Sequence, residues 1–224
     1  MATAEQVMAE TLEPESRVLI PCVDWSTYEN TLTLWGDHPS IRLTYDCGTL
    51  EIMSPSPEHD EWAQRVGLLI TLVAAGTRIP CRSLGTTTWR KEAKKRGLEA
   101  DASFYLENFR RVRGKKKLDL SVDPPPDLAV EVEISRSAMS RMDIYASLSV
   151  PEVWRFDGER LSVWQLQPNG SYTEVTTSPS FPRLGLEEVI HWLNLAASME
   201  DLSEWVVQFQ TWVRDELVPR VQAP

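Results

Sequence analysis

Residues 127–134 read DLAVEVEI, in which acidic or small residues alternate with branched aliphatic ones. Successive side chains of a β-strand point to opposite faces, so this stretch predicts a strand with one apolar face and one acidic face. The apolar face holds Leu128, Val130, Val132 and Ile134, and the other face holds Asp127, Ala129, Glu131 and Glu133. Acids this close together require protons, a cation or open water. A metal site is the first hypothesis, and a solvated face of an antiparallel sheet is the alternative.

A second alternating stretch supplies a partner strand. Residues 99–106 read EADASFYL, which places Glu99, Asp101 and Ser103 on one polar face. If the two strands pair, Asp101 can lie beside Glu131, because facing Cβ atoms of paired strands are about 5 Å apart. Two carboxylates in that arrangement suit one hard divalent ion such as Mg²⁺ or Mn²⁺.

The whole chain has the length and composition of one soluble domain with a substantial core, at 224 residues and 42% hydrophobic residues. It contains no apolar run long enough to cross a membrane, and its first 15 residues lack the basic start and apolar centre of a secretory signal. Cys22, Cys47 and Cys81 are widely spaced and odd in number, which indicates neither a disulfide framework nor a zinc site. We expect a cytoplasmic location, no membrane contact and no small-molecule organic cofactor.

Charge is distributed unevenly along the chain. The net charge is −10, yet the window 90–117 contains eleven basic residues and four acids. The basic residues form two stretches that flank the predicted Asp101 strand, where a phosphate backbone would need them. Solvated loops are the alternative interpretation. The predicted nucleic-acid contacts are Arg90, Lys91, Lys94, Lys95, Arg110, Arg111, Arg113, Lys115, Lys116 and Lys117.

Periodicity and turn residues predict an alternation of helices and strands. We expect a first helix capped by Ser26 with Glu29 in the capping-box position and ended by Gly36. A second helix, over about 58–75, carries an apolar stripe and ends at Gly76. The other predicted helices cover about 139–148, 186–197 and 199–218, and the predicted strands cover 41–45, 49–53, 81–89, 99–106, 127–134, 152–156 and 161–166.

Three regions follow from this pattern. Residues 1–20 are predicted to be an N-terminal lead with a frayed helix, and residues 21–183 a single core domain. Residues 167–183 within it are turn-rich, and residues 184–224 form a C-terminal helical extension of the same domain. The stripe on the last helix, which includes Trp205 and Trp212, is interpreted as core or dimer packing.

The order of elements and the position of the acids resemble the PD-(D/E)XK nuclease fold, and more closely the Uma2 family of putative restriction endonucleases. The matching segments are YDCGTLEIMSPSPEHDEW (45–62), RSLGTTTWRKE (82–92), GLEADASFYLEN (97–108), DPPPDLAVEVEIS (123–135) and SVPEVWRFDG (149–158). The resemblance implies an α/β fold with a restriction-endonuclease-like mixed central sheet flanked by helices. It implies a metal-dependent endonuclease acting on DNA.

Carried over residue by residue, the resemblance makes Asp101 the aspartate of the PD motif, although Ala100 replaces the usual proline. Glu131 would begin the ExK motif, but Glu133 stands where the lysine is expected. In the family that the chain resembles, some members supply the basic group from the next helix, four residues before a tyrosine. That position is Arg141, before Tyr145. Arginine can stabilise phosphate charge but cannot serve as a base.

The helix that begins near Glu58 and His59 is expected to contribute a further group. Glu58 would bind metal directly or through water. For His59, a surface position and a place in the site are equally supported. The resulting hypothesis has Asp101 and Glu131 binding Mg²⁺ or Mn²⁺, and Glu133 or Glu58 completing the shell. Arg141 or Lys91 would neutralise charge in the transition state.

Two other classes of function remain open. The first is a catalytically impaired nuclease-fold module that binds nucleic acid or protein without cutting, favoured by Glu133 and Arg141. The second is an acidic protein adaptor that uses its tryptophan-rich C-terminal helices. A homodimer is plausible by analogy, with Trp205 and Trp212 on a shared face. The sequence does not distinguish duplex DNA, single-stranded DNA and RNA as substrates.

Overall fold

A computed structural model describes residues 15–35, 38, 40–135 and 137–223. The helix predicted in residues 1–14 and the helix end predicted at Gly36 lie outside these residues. Within the described chain, no helix is both long and apolar enough to cross a membrane.

The strands are short and belong to two sheets. Their bounds are β1 (Ser16–Ile20), β2 (Arg42–Asp46), β3 (Thr49–Ser54), β4 (Arg82–Ser83), β5 (Thr87–Lys91), β6 (Arg96–Ala100), β7 (Ala102–Tyr105), β8 (Leu128–Val132), β9 (Glu152–Phe156), β10 (Leu161–Leu166) and β11 (Tyr172–Val175). Sheet A has the order β1-β3-β2-β6-β5, and sheet B has the order β11-β10-β9-β8-β7-β4. Sheet A is antiparallel, whereas β8 and β9 make sheet B mixed by pairing in parallel.

One chain segment joins the two sheets. The predicted strand 99–106 is divided at Asp101, so that β6 belongs to sheet A and β7 to sheet B. Asp101 therefore lies where the chain passes from one sheet to the other.

The helices flank these sheets. Their bounds are α1 (Trp25–Trp35), α2 (Pro57–Thr77), α3 (Phe109–Val112), α4 (Arg141–Leu148), α5 (Leu186–Ser198), α6 (Leu202–Trp212) and α7 (Val218–Gln222), with a π-helical turn over Val213–Leu217 between the last two. The prediction of an α/β protein with a mixed sheet, flanking helices and a C-terminal helical extension is confirmed.

Helix α2 forms the centre of the largest apolar cluster. Ser56 caps it by accepting a hydrogen bond from the His59 amide, and Pro57 occupies its first position. Its predicted stripe is buried, since Trp62, Val66, Leu69 and Val73 are at most 8% exposed. This stripe packs with sheet B on one side and the C-terminal helices on the other.

The C-terminal helices belong to this core. Trp205 is fully buried and donates a hydrogen bond from its indole nitrogen to the Trp192 carbonyl oxygen at 2.9 Å. A face shared between two subunits would need an exposed side chain, so the predicted use of Trp205 in a dimer face is wrong.

Two predicted helix boundaries also differ from the structure. Helix α2 continues through Gly76 and ends at Thr77, and the next residue, Arg78, has a φ of 61°. A Cβ on Gly76 would lie 2.4 Å from Val213 Cγ1, so this glycine permits close helix packing rather than ending the helix. At α1, Asp24 rather than Ser26 accepts the hydrogen bond from the Thr27 amide, at 2.7 Å.

Candidate active site

Strand pairing brings the two predicted metal-binding acids together. Ala102 of β7 is paired with Val130 of β8, and the Asp101 amide donates to the Val130 carbonyl oxygen at 3.2 Å. Asp101 and Glu131 are thus neighbours across the β7–β8 pair, as the alternating patterns predicted.

The acidic face of β8 is covered. Asp101 is 7% exposed and Glu131 is 2% exposed. Because both carboxylates are buried, the alternative of a freely solvated sheet face is wrong for these two positions. Buried carboxylates require partners.

His59 connects Asp101 to the start of β1. Its Nε2 lies 2.9 Å from Asp101 Oδ1, and its Nδ1 lies 2.5 Å from Glu15 Oε1. Burial opposes a charge on His59, but the two carboxylates outweigh burial and raise its pKa to about 10. At neutral pH the imidazole is therefore a cation that donates to both acids.

The pKa values of the two acids respond to this cation. Burial favours the neutral form of Glu15, but hydrogen bonds from His59, Ser135 and Arg17 lower the Glu15 pKa to about 2. Burial also favours neutral Asp101, yet the His59 hydrogen bond and charge lower the pKa of Asp101 overall. The second oxygen of Asp101 accepts from the Val132 amide at 2.8 Å. Asp101 is thus held as a carboxylate in one orientation.

Glu131 is bound by two residues of α4. The Arg141 guanidinium donates to both oxygens of Glu131, and the Tyr145 hydroxyl also contacts this carboxylate. Arg141 further donates to Thr44 Oγ1 at 2.7 Å and to the Glu99 carbonyl oxygen at 2.5 Å. Burial raises the pKa of Glu131, and the nearby Arg141 charge lowers it only in part. The Arg141–Tyr145 spacing therefore places both side chains on Glu131.

Two cavities meet at Asp101. The larger, here called the Asp101 cleft, has a volume of about 680 Å³ and is lined by α2 together with the strands around Asp101. Its polar lining includes Asp60, Gln64, Thr86, Thr88, Glu99 and Asp101. The smaller is a void of about 20 Å³ whose lining includes His59, Asp101, Glu131, Glu133 and Arg141. A void of that size can hold one water-sized occupant.

Asp101 and Glu131 form a partial set of ligands for a divalent ion. Mg²⁺ commonly takes one or two protein carboxylates and fills its other positions with water and substrate phosphate oxygens. Asp101 and Glu131 match that pattern in type and number. Within the described ranges, no group of three or more His, Cys, Asp or Glu side chains could hold a metal ion. The residues therefore fit an ion held by two carboxylates, with Arg141 moved from at least one Glu131 oxygen, and not a cage of protein ligands.

Two other predicted acids lie in different surroundings. Glu58 is exposed at the start of α2 and lines neither cavity, whereas the next residue, His59, is buried in the site. Consecutive helix residues point in directions about 100° apart, and here His59 is the one directed into the site. Glu133 lines the small void but also accepts from Arg155 Nε at 3.1 Å.

The residues of the two basic stretches lie outside the acidic site. Nine of the ten predicted contact residues are exposed, and Lys91 is half-buried. Three of them already have acidic partners: Arg90 with Glu29, Lys95 with Glu92, and Lys115 with Asp123. Lys91, proposed from the sequence as a transition-state partner, lies on a separate groove and not on the Asp101 cleft.

Sequence reasoning missed two acids of the site. The sequence prediction places Glu15 in a lead outside the core, and residues 15–20 (ESRVLI) show no alternation of polar and apolar residues that would indicate its position. The sequence prediction places Glu99 on the polar face of its strand and gives it no role. In the structure Glu99 is 4% exposed and lines the cleft, and burial raises its pKa to about 7.

Comparison with known proteins identifies the family of the chain. The family model of Uma2, described as "Putative restriction endonuclease", matches residues 25–198. The chain belongs to the Uma2 family. The match spans α1 to α5 and includes Asp101, Glu131 and Arg141, whereas Glu15 lies outside it.

Comparisons with solved structures and with curated proteins find weaker similarity or none. A crystal structure of a putative nuclease belonging to DUF820 from Anabaena variabilis ATCC 29413 is similar to this Uma2 protein with a TM-score of 0.41 and 14% sequence identity. The similarity covers 63% of this chain and 87% of that chain. None of the curated proteins matches the chain.

Proposed function

We propose that this Uma2 protein is a metal-dependent endonuclease that hydrolyses phosphodiester bonds in DNA, with Asp101 and Glu131 as the protein ligands of Mg²⁺ or Mn²⁺. The observation that carries the proposal is that two buried carboxylates lie side by side, Asp101 between β6 and β7 and Glu131 on β8, with Asp101 lining an open cleft. Membership in a nuclease family supports the same reaction class.

The chain's own residues would prepare the site for a phosphate. His59 and the Val132 amide keep Asp101 ionised and fixed, so its lone pairs face a constant direction. Arg141 is positioned to exchange one Glu131 oxygen for a phosphate oxygen, since its planar guanidinium binds either group in the same way. When bound, the metal would neutralise phosphate charge and lower the pKa of a coordinated water. Glu133, which lines the small void, remains a proposed contributor through water, whereas Glu58 lines neither cavity and is not proposed.

Nicking of supercoiled plasmid tests the proposal. Wild-type protein at low salt should convert plasmid to the open-circular form with Mg²⁺ or Mn²⁺ and not with EDTA. Asp101→Asn and Glu131→Gln should each abolish nicking and weaken Mn²⁺ binding measured by electron paramagnetic resonance. Glu159→Gln, an exposed acid on the β9–β10 turn, is the matched control and should cut like wild type. Metal-dependent nicking that persists in both site variants would overturn the assignment.

A second candidate function has specific support. Arg141 occupies both oxygens of Glu131, and Glu133, in the position of the expected lysine, is paired with Arg155. Both contacts favour a Uma2 module that binds DNA without cutting it. In that case wild-type protein would bind plasmid but leave it supercoiled with either metal.

The Arg141→Lys variant separates the two candidates. Lysine keeps the positive charge but cannot bind both carboxylate oxygens in a planar fork. If the arginine is what blocks the site, Arg141→Lys should nick plasmid where wild type does not. If wild type is already an endonuclease, both proteins should nick, and Asp101→Asn should remove the activity from each.

A further inference from the structure

A second groove lies along β5, and Asp101 and Glu131 are not among the residues that line it. It has a volume of about 560 Å³ and is bounded by α1, β5 and residues 117–121. We call it the Trp25 groove; Trp25, Thr88, Trp89, Lys91 and Lys117 lie along it. Neither its aromatic nor its basic residues have a role in the reaction described above.

Both basic stretches contribute to this groove. Lys91 comes from the first stretch and Lys117 from the second, and neither forms an ion pair with a described residue. Arg90, by contrast, is held by Glu29 at 2.7 Å. The groove is also lined by Glu29, Glu92 and Asp119, of which Glu29 pairs with Arg90 and Glu92 with Lys95. The two lysines without acidic partners are suited to phosphates of one strand.

The groove also presents an immobilised aromatic ring. Trp25 is half-buried, and its ring packs edge-on against Tyr28 and Tyr45 with centroids 5.1 and 5.5 Å apart. Lys95 Nζ lies over one face of the Trp25 ring, 5.4 Å from its centroid, so a stacking base would use the other face or displace this lysine. A fixed ring beside cations is the combination on which bases of single strands stack.

Trp89 gives an independent indication of a ligand. It is 2% exposed and lines the groove, and its indole nitrogen has no hydrogen-bond acceptor among the described residues. An indole N–H is a donor only, so a buried one without a partner costs free energy. The nitrogen is itself buried, so a base carbonyl or a phosphate oxygen in the groove would satisfy it once the side chains that cover it move aside.

Thr88 connects the groove to the Asp101 cleft. It lines both cavities, and β5 carries the surface from one to the other. A strand seated on Trp25 and Lys91 would therefore continue toward Asp101 along β5.

We propose that the Trp25 groove binds an unpaired segment of a DNA strand, with a base on Trp25 and phosphates on Lys91 and Lys117. The part of this inference that leads the strand to Asp101 rests on the proposed function; binding in the groove does not. The protein would thus prefer single-stranded DNA, or a duplex with an unpaired end, to a closed duplex.

Fluorescence anisotropy with the full chain tests the binding in EDTA, where cleavage cannot contribute. The probes are fluorescein-labelled oligo-dT of twenty nucleotides and a blunt duplex of the same length. Wild type should bind oligo-dT more tightly. Trp25→Leu should weaken that binding about fivefold or more, and Trp25→Phe should retain most of it. Lys91→Gln and Lys117→Gln should each lower the slope of log affinity against log salt by about 0.7.

Arg183→Gln, an exposed basic residue outside the groove, is the control for a general loss of charge. Equal affinity of wild type for the two probes would overturn the inference. So would a loss in Arg183→Gln equal to that in the two lysine variants. The lysines are exposed or half-exposed, so their variants keep the test decisive if Trp25→Leu folds poorly.

Plasmid nicking separates this inference from the proposed function. Groove variants that lose oligo-dT binding while wild type cuts nothing would support the groove and refute the endonuclease. Groove variants that bind oligo-dT like wild type, alongside nicking that requires Asp101, would refute the groove and support the endonuclease.

Discussion

Arg141 donates to both carboxylate oxygens of Glu131, and this pair ties helix α4 to strand β8. Glu131 is 2% exposed and the Arg141 side chain 12% exposed, so water compensates neither charge if its partner is removed. Breaking a buried pair in this way costs about 3–5 kcal/mol.

Arg141→Ala should therefore lower the free energy of unfolding by about 3–5 kcal/mol, measured by urea denaturation. Adding Glu131→Gln should recover part of the loss, because the neutral amide no longer needs a cation. Additive losses in the double variant would contradict a direct interaction between the two residues.

The His59 pKa predicts a loss of stability at alkaline pH. Its folded value of about 10 lies above the ordinary 6.5, so the His59 contribution is complete below pH 6.5 and is lost as pH rises toward 10. Urea denaturation in EDTA at pH 6 and pH 9.5 should show a fall in wild type. His59→Gln should be less stable at pH 6 and nearly flat over this range. His191→Gln, at an exposed histidine, should keep the wild-type slope.

The Glu15 pKa predicts a loss of stability at acid pH, the opposite of the dependence that His59 predicts. Its folded pKa of about 2 lies below the ordinary 4.5, so its contribution is present above pH 4.5 and is lost as pH falls toward 2. Glu15→Gln should reduce the loss of stability between pH 4.5 and pH 3, followed by circular dichroism in urea. An unchanged acid slope would mean that the Glu15–His59 contact does not form in solution.

Two glycines of helix α2 provide a matched pair. A Cβ on Gly76 would lie 2.4 Å from Val213 Cγ1, whereas the nearest atom to a Cβ on Gly67 is 3.8 Å away. Gly76→Ala should lower the unfolding free energy by about 1–3 kcal/mol through overpacking. Gly67→Ala should raise it by about 0.5–1 kcal/mol through helix propensity. Thermal denaturation of both variants measures the difference, and equal shifts would contradict the close contact with Val213.

The period-two and helical patterns of the sequence predicted most of the strands and helices of the fold. The alternation around Glu131 and the stripe on α2 correspond to a paired strand and a buried helix face, because burial against one side is what each pattern encodes. The pairing of Asp101 with Glu131 followed from the same patterns. The strand Tyr172–Val175 was missed because its flanking turn residues dominate the segment.

The partners within the site were not predictable in the same way. Nothing local indicates that Glu15 reaches His59, since 44 residues separate them and the contact arises from the pairing of β1 with β3. The break of one strand into β6 and β7 at Asp101 likewise depends on two sheets competing for the same segment. Tertiary contacts of this kind leave no periodic signal in a single sequence.

The contact between Glu15 and His59 makes the length of the amino terminus matter for the site. Proteolytic trimming just after residue 15, or a start codon displaced to that point, would leave β1 and every later strand and helix intact. Such a shortened chain would have lost one of the two carboxylates that hold His59 against Asp101. Two preparations with the same fold by spectroscopy could thus differ in the ionisation of Asp101 because of where the first residue lies.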